Sequence, residues 1–127
     1  MQSHILLVED TEDLGENIKD ILNIEGYVVR WERDGLAGFE ACLQSTPDLI
    51  ISDVVMPGLN GLELVKKIRD IITYRHLPII ILSARATPED QQKGLDAGAT
   101  IYLRKPCKST ELIDAIQHLL LRTNTQL

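Results

Sequence analysis

The chain reads as one α/β domain over residues 1–127, a (βα)5 unit forming a doubly wound, five-stranded parallel sheet with helices on both faces. Three observations predict this class. Short apolar blocks alternate with segments of helical period along the whole chain. The blocks are continuous and rich in β-branched residues, as strands covered on both faces require. Finally, 127 residues, 44% of them hydrophobic and 25% charged, suffice for one domain that buries its own core. Joined by right-handed crossovers, five such strands take the order 2-1-3-4-5.

The elements follow in turn. Ile5-Leu6-Leu7-Val8 is the first strand. Leu14, Ile18, Ile21 and Leu22 form the apolar stripe of a helix closed by Glu25-Gly26, glycine being favoured just past a helix end. Residues 27–31 read as the second strand. Asp34-Gly35 opens a shorter helix carrying Leu36, Phe39 and Leu43, which stops before Pro47. Leu49-Ile50-Ile51-Ser52 is the third strand. Asn60, with Glu63 three residues on, caps a helix that shows Val65, Ile68 and Ile72. After the fourth strand, Ile79-Ile80-Ile81-Leu82, the run Thr87-Pro88-Glu89-Asp90 combines an N-cap, a first-turn proline and acid at a helix start. That helix ends near Ala97-Gly98. The fifth strand is Ile101-Tyr102-Leu103-Arg104. A last helix carries Leu112, Ile113, Ile116, Leu119 and Leu120 and gives way to a polar tail over residues 123–127.

Composition removes several classes of function. A net charge of −6 argues against direct nucleic-acid binding, which needs a basic stripe. Lys66, Lys67 and Arg69 read as the solvated side of a helix. No apolar run approaches the h-region of a signal peptide or the roughly 20 residues of a membrane span, so no membrane role is expected. Cys42 and Cys107 read as free thiols of a reducing compartment, which points to the cytoplasm. His4, His76 and His118 are isolated and lack metal-ligand spacing.

The strand endings carry the chemistry. The first runs into Glu9-Asp10, the third into Asp53, the fourth into Ser83 and the fifth into Lys105-Pro106. In a parallel sheet all four endings meet at the carboxyl edge, where ligands of such sheets bind. At 4 Å and an effective dielectric of ~20, two carboxylates repel by about 4 kcal/mol. Three together must take up protons or recruit a cation. Mg²⁺ suits them, since it takes oxygen ligands from one or two carboxylates and a phosphate. Lys105 adds a second positive charge. Asp53 reads as a third metal ligand or as a nucleophile, carboxylates being known acceptors of phosphoryl groups. Ser83 offers a hydrogen bond to a transferring oxygen, and Ala84 leaves space for the group to enter. The end of the second strand, residues 31–34, supplies nothing evident.

These residues are similar to a known family. Val8-Glu9-Asp10, Asp53 with Met56-Pro57-Gly58 and Gly61, Ser83-Ala84, Gly98-Ala99 and Tyr102-Leu103-Arg104-Lys105-Pro106 resemble the receiver domain of bacterial two-component response regulators. The resemblance spans nearly the whole chain and implies a flavodoxin-like fold. It implies that Asp53 takes a phosphoryl group from a sensor histidine kinase or a phosphotransfer protein. Glu9 and Asp10, with Asp53 and the main-chain carbonyl of Val55, would hold Mg²⁺, with Mn²⁺ as a substitute. Ser83 and Lys105 would bind phosphoryl oxygens. On phosphorylation Ser83 would move toward the group, Tyr102 would turn inward, and the surface of the fourth helix, fifth strand and fifth helix would change. Such a domain promotes its own phosphorylation and dephosphorylation but turns over no external product, so it is not an enzyme in the usual sense. The implied partners are the kinase, a downstream effector or covalently linked output domain, and a second copy through helices 4 and 5. The chain would be a stand-alone receiver or the N-terminal part of a longer regulator. A cis peptide before Pro106 is also implied.

Some positions depart from the commonest pattern. Cys107 stands where an aromatic often follows Lys-Pro, and it reads as a small buried hydrophobe. Thr100-Ile101 replaces an acidic pair used for intermolecular salt bridges in one DNA-binding subfamily. Val55 and Arg85 sit at positions that tune phosphoryl lifetime and predict slow self-dephosphorylation. Two rivals fit less well. A phosphatase using an aspartyl-phosphate intermediate needs an acid at position 55, and an FMN carrier needs a Ser/Thr/Gly-rich loop where Glu9-Asp10-Thr11-Glu12-Asp13 stands.

Overall fold

Each apolar block becomes a strand in the computed structural model, which describes residues 2–125. The strands are β1 (His4–Val8), β2 (Val28–Glu32), β3 (Leu49–Ser52), β4 (Ile79–Ser83) and β5 (Ile101–Arg104). The helices are α1 (Glu12–Ile24), α2 (Gly35–Gln44), α3 (Gly61–Arg69), α4 (Pro88–Ala97) and α5 (Ser109–Thr125), with a 3-10 turn at Ile72–Tyr74. All strand pairs are parallel, in the order β2-β1-β3-β4-β5.

Strand alternation builds two cores. Leu6, Val8, Ile50, Ile79 and Ile81 face Cys42 of α2 and Leu64, Val65 and Ile68 of α3. Ile5, Leu7, Leu49, Ile51, Ile80 and Leu82 face Ile18 and Leu22 of α1 and Leu112, Ile116 and Leu119 of α5. The central strands β3 and β4 are buried throughout, which is why their sequences read as unbroken apolar runs. Edge strands β2 and β5 are only partly covered.

The caps sit where the sequence places them. Asn60 and Glu63 form a reciprocal capping box on α3, and Thr87 and Asp90 form another on α4. Gly26, just past α1, adopts φ 95°.

Four expectations need correction. In α2, Leu36 and Leu43 are exposed, and the small residues Gly35, Gly38, Ala41 and Cys42 make the buried face. The helix lies too close to β1 for large side chains: a Cβ on Gly38 would stand 2.7 Å from Val8 Cγ2. Ile72 is not on α3, which ends at Arg69; it opens the 3-10 turn and is exposed. Arg69 does not belong to the solvated face with Lys66 and Lys67. It donates to the carbonyls of Gly98 (2.9 Å) and Tyr74 (2.7 Å), tying α3 to the loops that enter β4 and β5. Finally, α5 runs to Thr125, so the expected tail is helical through that residue; residues 126 and 127 lie outside the described residues.

Candidate functional site

Backbone pairing carries each functional residue into place. The ladders continue one residue past the strands: Glu9 N donates to Glu32 O (3.0 Å), Asp53 N to Val8 O (3.2 Å) and Lys105 N to Ser83 O (2.9 Å). Four separate stretches of chain therefore present side chains at one edge of one sheet. Ligand oxygens of Glu9, Asp10 and Asp53 all lie within 4.8 Å of one another. Glu9 is 2% exposed and Asp53 9%, while Asp10 is exposed.

Lys105 joins the two buried acids. Its Nζ lies 2.8 Å from Glu9 Oε1 and 2.8 Å from Asp53 Oδ2. Burial alone would lower the lysine pKa, but hydrogen bonds to Asp53 and Glu9 and their charge outweigh it and hold the pKa above the ordinary value. The ammonium is therefore firmly charged at neutral pH. Three formal negative charges and one positive leave the cluster two charges short of neutral. Together with its all-oxygen donor set, that fits a hard divalent cation.

The other acid oxygens are held by main chain. Asp53 Oδ1 accepts from Val54 N at 2.6 Å, and Glu9 Oε2 accepts from Thr11 N at 3.1 Å. The loop after Asp53 folds back tightly, with Gly61 N donating to Val54 O at 2.8 Å. A Cβ on Gly61 would stand 2.0 Å from the Asp53 carbonyl oxygen, so only glycine lets α3 begin there. Val55 lies on the exposed rim of this loop.

Ser83 is buried at the end of β4, and its Oγ accepts from Arg85 N at 3.1 Å. Ala84 beside it is exposed. The Tyr102 hydroxyl donates to the Arg85 carbonyl, so it is tied to the loop after Ser83. Burial, then the charges of Asp90 and Asp53, hold that hydroxyl above the ordinary tyrosine pKa despite the opposing contact with Ser83. It stays a neutral donor. The Lys105–Pro106 peptide is cis. Cys107 is half-buried, not sealed in a core, with Sγ 3.3 Å from Glu111 Oε1.

The structure thus brings together Glu9, Asp10, Asp53 and Lys105 by direct proximity, and links Ser83 to Tyr102 through Arg85. One contributor escaped the sequence reading. The end of β2, which showed nothing evident, supplies Trp31, whose indole Nε1 donates to the Glu9 carbonyl at 2.9 Å. The available signal was the only tryptophan in the chain, standing next to the carboxyl end of a strand beside β1.

Comparisons with known proteins agree with this geometry. A family profile described as the response regulator receiver domain matches residues 5–117. The chain is 40% identical over 121 residues to the transcriptional regulatory protein CseB of Streptomyces avermitilis, a match covering 95% of this chain and 50% of that protein. It therefore spans about half the length of the curated relatives it matches. Chemotaxis response regulator CheY4 of Vibrio cholerae superposes with a TM-score of 0.88 at 32% identity, covering 94% of this chain and 99% of that one. The receiver domain of sensor histidine kinase PA1611 from Pseudomonas aeruginosa was solved with a magnesium ion coordinated in its active site cleft. It superposes with a TM-score of 0.88 at 33% identity, covering 94% and 98% of the two chains. An acidic pocket at the carboxyl edge, on this fold and in this company, fits a phosphoaccepting aspartate with a divalent metal, and the chain belongs to the response regulator receiver domains.

Proposed function

We propose that Asp53 is the phosphoryl acceptor of a two-component phosphorelay and that Glu9, Asp10, Asp53 and the Val55 carbonyl hold Mg²⁺, with Mn²⁺ able to replace it. The observation that carries this reading is the bridging position of Lys105, 2.8 Å from both Glu9 and Asp53, within a three-acid cluster. The residues fit the metal: hard oxygen donors, with two net negative charges after Lys105 is counted. When bound, Mg²⁺ neutralises charge on the transferring oxygens.

The chain's own groups supply the rest. An Asp53 carboxylate oxygen attacks phosphorus in the donor. The new O–P bond forms as the P–N bond of a phosphohistidine breaks, and the electron pair returns to the imidazole nitrogen. Lys105 follows the incoming charge and stabilises it. Ser83 Oγ donates to a phosphoryl oxygen once it gives up its place as acceptor from Arg85. Ala84, exposed and small, leaves the entrance open. A shift of Ser83 loosens the Arg85 loop to which the Tyr102 hydroxyl is tied, and Tyr102 then turns inward. The surface of α4, β5 and α5 carries that change to an effector or a linked output domain. Exposed Leu95 on α4 gives the same surface an apolar contact for a second copy. No helix is long and apolar enough to cross a membrane among the described residues. In this reading the partner kinase presents its phosphohistidine in the cytoplasm.

Incubation with Mg²⁺ and acetyl phosphate, followed by intact-mass measurement, tests the assignment. One phosphoryl adduct is expected, absent without Mg²⁺ and absent in Asp53→Asn. An adduct that persists in Asp53→Asn means that another side chain is the acceptor.

A further inference from the structure

The metal site proposed above depends on where Asp10 stands, yet no hydrogen bond to its carboxylate is found among the described residues. Its neighbour Glu9 is fixed at three points: its N–H on Glu32 O, its Oε1 on Lys105 and its Oε2 on Thr11 N. What orients Asp10 is the peptide plane that joins it to Glu9. The oxygen of that plane, Glu9 O, accepts the indole N–H of Trp31 at 2.9 Å.

Trp31 is in turn gripped on several sides. It pairs in register with Leu7 and packs in the layer between the sheet and α1. Gly15 of α1 lies against its ring so closely that a Cβ there would stand 2.2 Å from Trp31 Cζ2. The Arg33 guanidinium covers the ring at 4.2 Å from a centroid, and Arg33 reaches Glu12 of α1 at 3.7 Å. The indole is therefore a rigid strut from the edge strand to the turn between β1 and α1. A partly buried aromatic held this way pays little entropy to keep its N–H aimed at one acceptor.

We infer that Trp31 is a positioning residue for the metal: through its hydrogen bond to the Glu9 carbonyl it sets the peptide plane from which Asp10 approaches a divalent cation. This rests on the metal reading above. The edge strand, silent in the sequence, thus serves the site through an intermediate carbonyl and touches neither metal nor phosphoryl group. Loss of one neutral hydrogen bond predicts an affinity change of about five-fold.

Because Trp31 is the only tryptophan, the donor can be removed without changing the shape of the ring. Biosynthetic replacement by benzothienylalanine exchanges N–H for sulfur, and 5-fluorotryptophan keeps the N–H as a control. Mg²⁺ affinity is read by calorimetry and by amide shifts of residues 9–11, with no phosphodonor present. The expected result is Mg²⁺ binding about five-fold weaker in the benzothienyl protein and restored in the fluorotryptophan protein. The adduct rate at saturating Mg²⁺ should be unchanged. A merely structural role would lower the melting temperature and leave Mg²⁺ affinity alike in all three proteins, which overturns the inference while the metal reading stands. No Mg²⁺ binding by the parent overturns both.

Discussion

Lys105 is the residue on which the resting site turns. It contacts two of the three acids that would hold a metal, so lysine and cation compete for one charge deficit. Lys105→Met should tighten Mg²⁺ binding about ten-fold, a change of about 1.4 kcal/mol, and slow the formation of the acetyl phosphate adduct; calorimetry and mass measurement check the two halves. An unchanged Mg²⁺ affinity would show that the ammonium does not oppose the metal. Val55, half-exposed beside Asp53 and without a hydrogen-bonding side chain, has nothing to orient an attacking water. Val55→Asn should therefore shorten the phosphoryl half-life severalfold, and a half-life no shorter than the parent's contradicts this. The thiols give a pH prediction. Burial, with Glu111 adding its hydrogen bond and charge, pushes Cys107 up to about 11 from an ordinary 9.0, and burial pushes Cys42 to about 11 as well. A group that keeps its proton longer in the folded state contributes stability below pH 9, and that contribution fades as pH rises toward 11. Thiolate absorbance at 240 nm should rise near pH 11 in the folded protein and near pH 9 in urea. At pH 8 alkylation should be about a hundred-fold slower than for an unperturbed thiol, as two units imply.

At the level of elements, the close approach of α3 to the acceptor loop is the most exacting feature. Gly61→Ala places a methyl group 2.0 Å from the Asp53 carbonyl oxygen, so either α3 or the acceptor strand must move. A loss of about 2–4 kcal/mol is expected from such backbone displacement. Urea unfolding measures it, and a slower adduct rate should accompany it; a midpoint within error of the parent's would show that the loop yields freely. Much at this scale was legible in the sequence. The capping box of α3, the N-cap of α4 and the glycine closure of α1 follow from cap chemistry, and the five strands from apolar blocks, all of which is local. The misses share one cause: packing distance, which no periodicity records. Of the apolar residues Leu36, Phe39 and Leu43 on α2 only Phe39 packs against the core, because the helix lies so near Val8 that glycine, alanine and cysteine make most of its inner face. Arg69 looked like one more surface charge, but its guanidinium reaches carbonyls in both connections that enter β4 and β5. Trp31 stood out only as the single tryptophan, and its partner, a main-chain oxygen just past β1, could not be read from periodicity.

For the whole molecule, site and core are one construction. The apolar runs of β1, β3 and β4 are held between two helical layers, and the functional residues stand at or just past the carboxyl ends of the strands. Truncating Ile80, fully buried in the layer against α5, should cost about 2–5 kcal/mol in Ile80→Ala. It should leave Asp53 phosphorylatable in whatever fraction stays folded, because the ladder hydrogen bonds that carry the site do not involve that side chain. The acids, the hydroxyl and the lysine were legible at this scale because parallel topology maps strand ends to one edge. Their mutual distances were not, since these depend on register and loop closure. The most direct measurement is a crystal structure with Mg²⁺ and a beryllium fluoride mimic of the phosphoryl group. The predicted result is a cation within about 2.0–2.1 Å of oxygens of Glu9, Asp10 and Asp53 and of the Val55 carbonyl, the mimic on Asp53, and Lys105 Nζ and Ser83 Oγ in hydrogen-bond contact with it. A mimic seated on another acid, or a metal bound away from these carboxylates, would contradict the account.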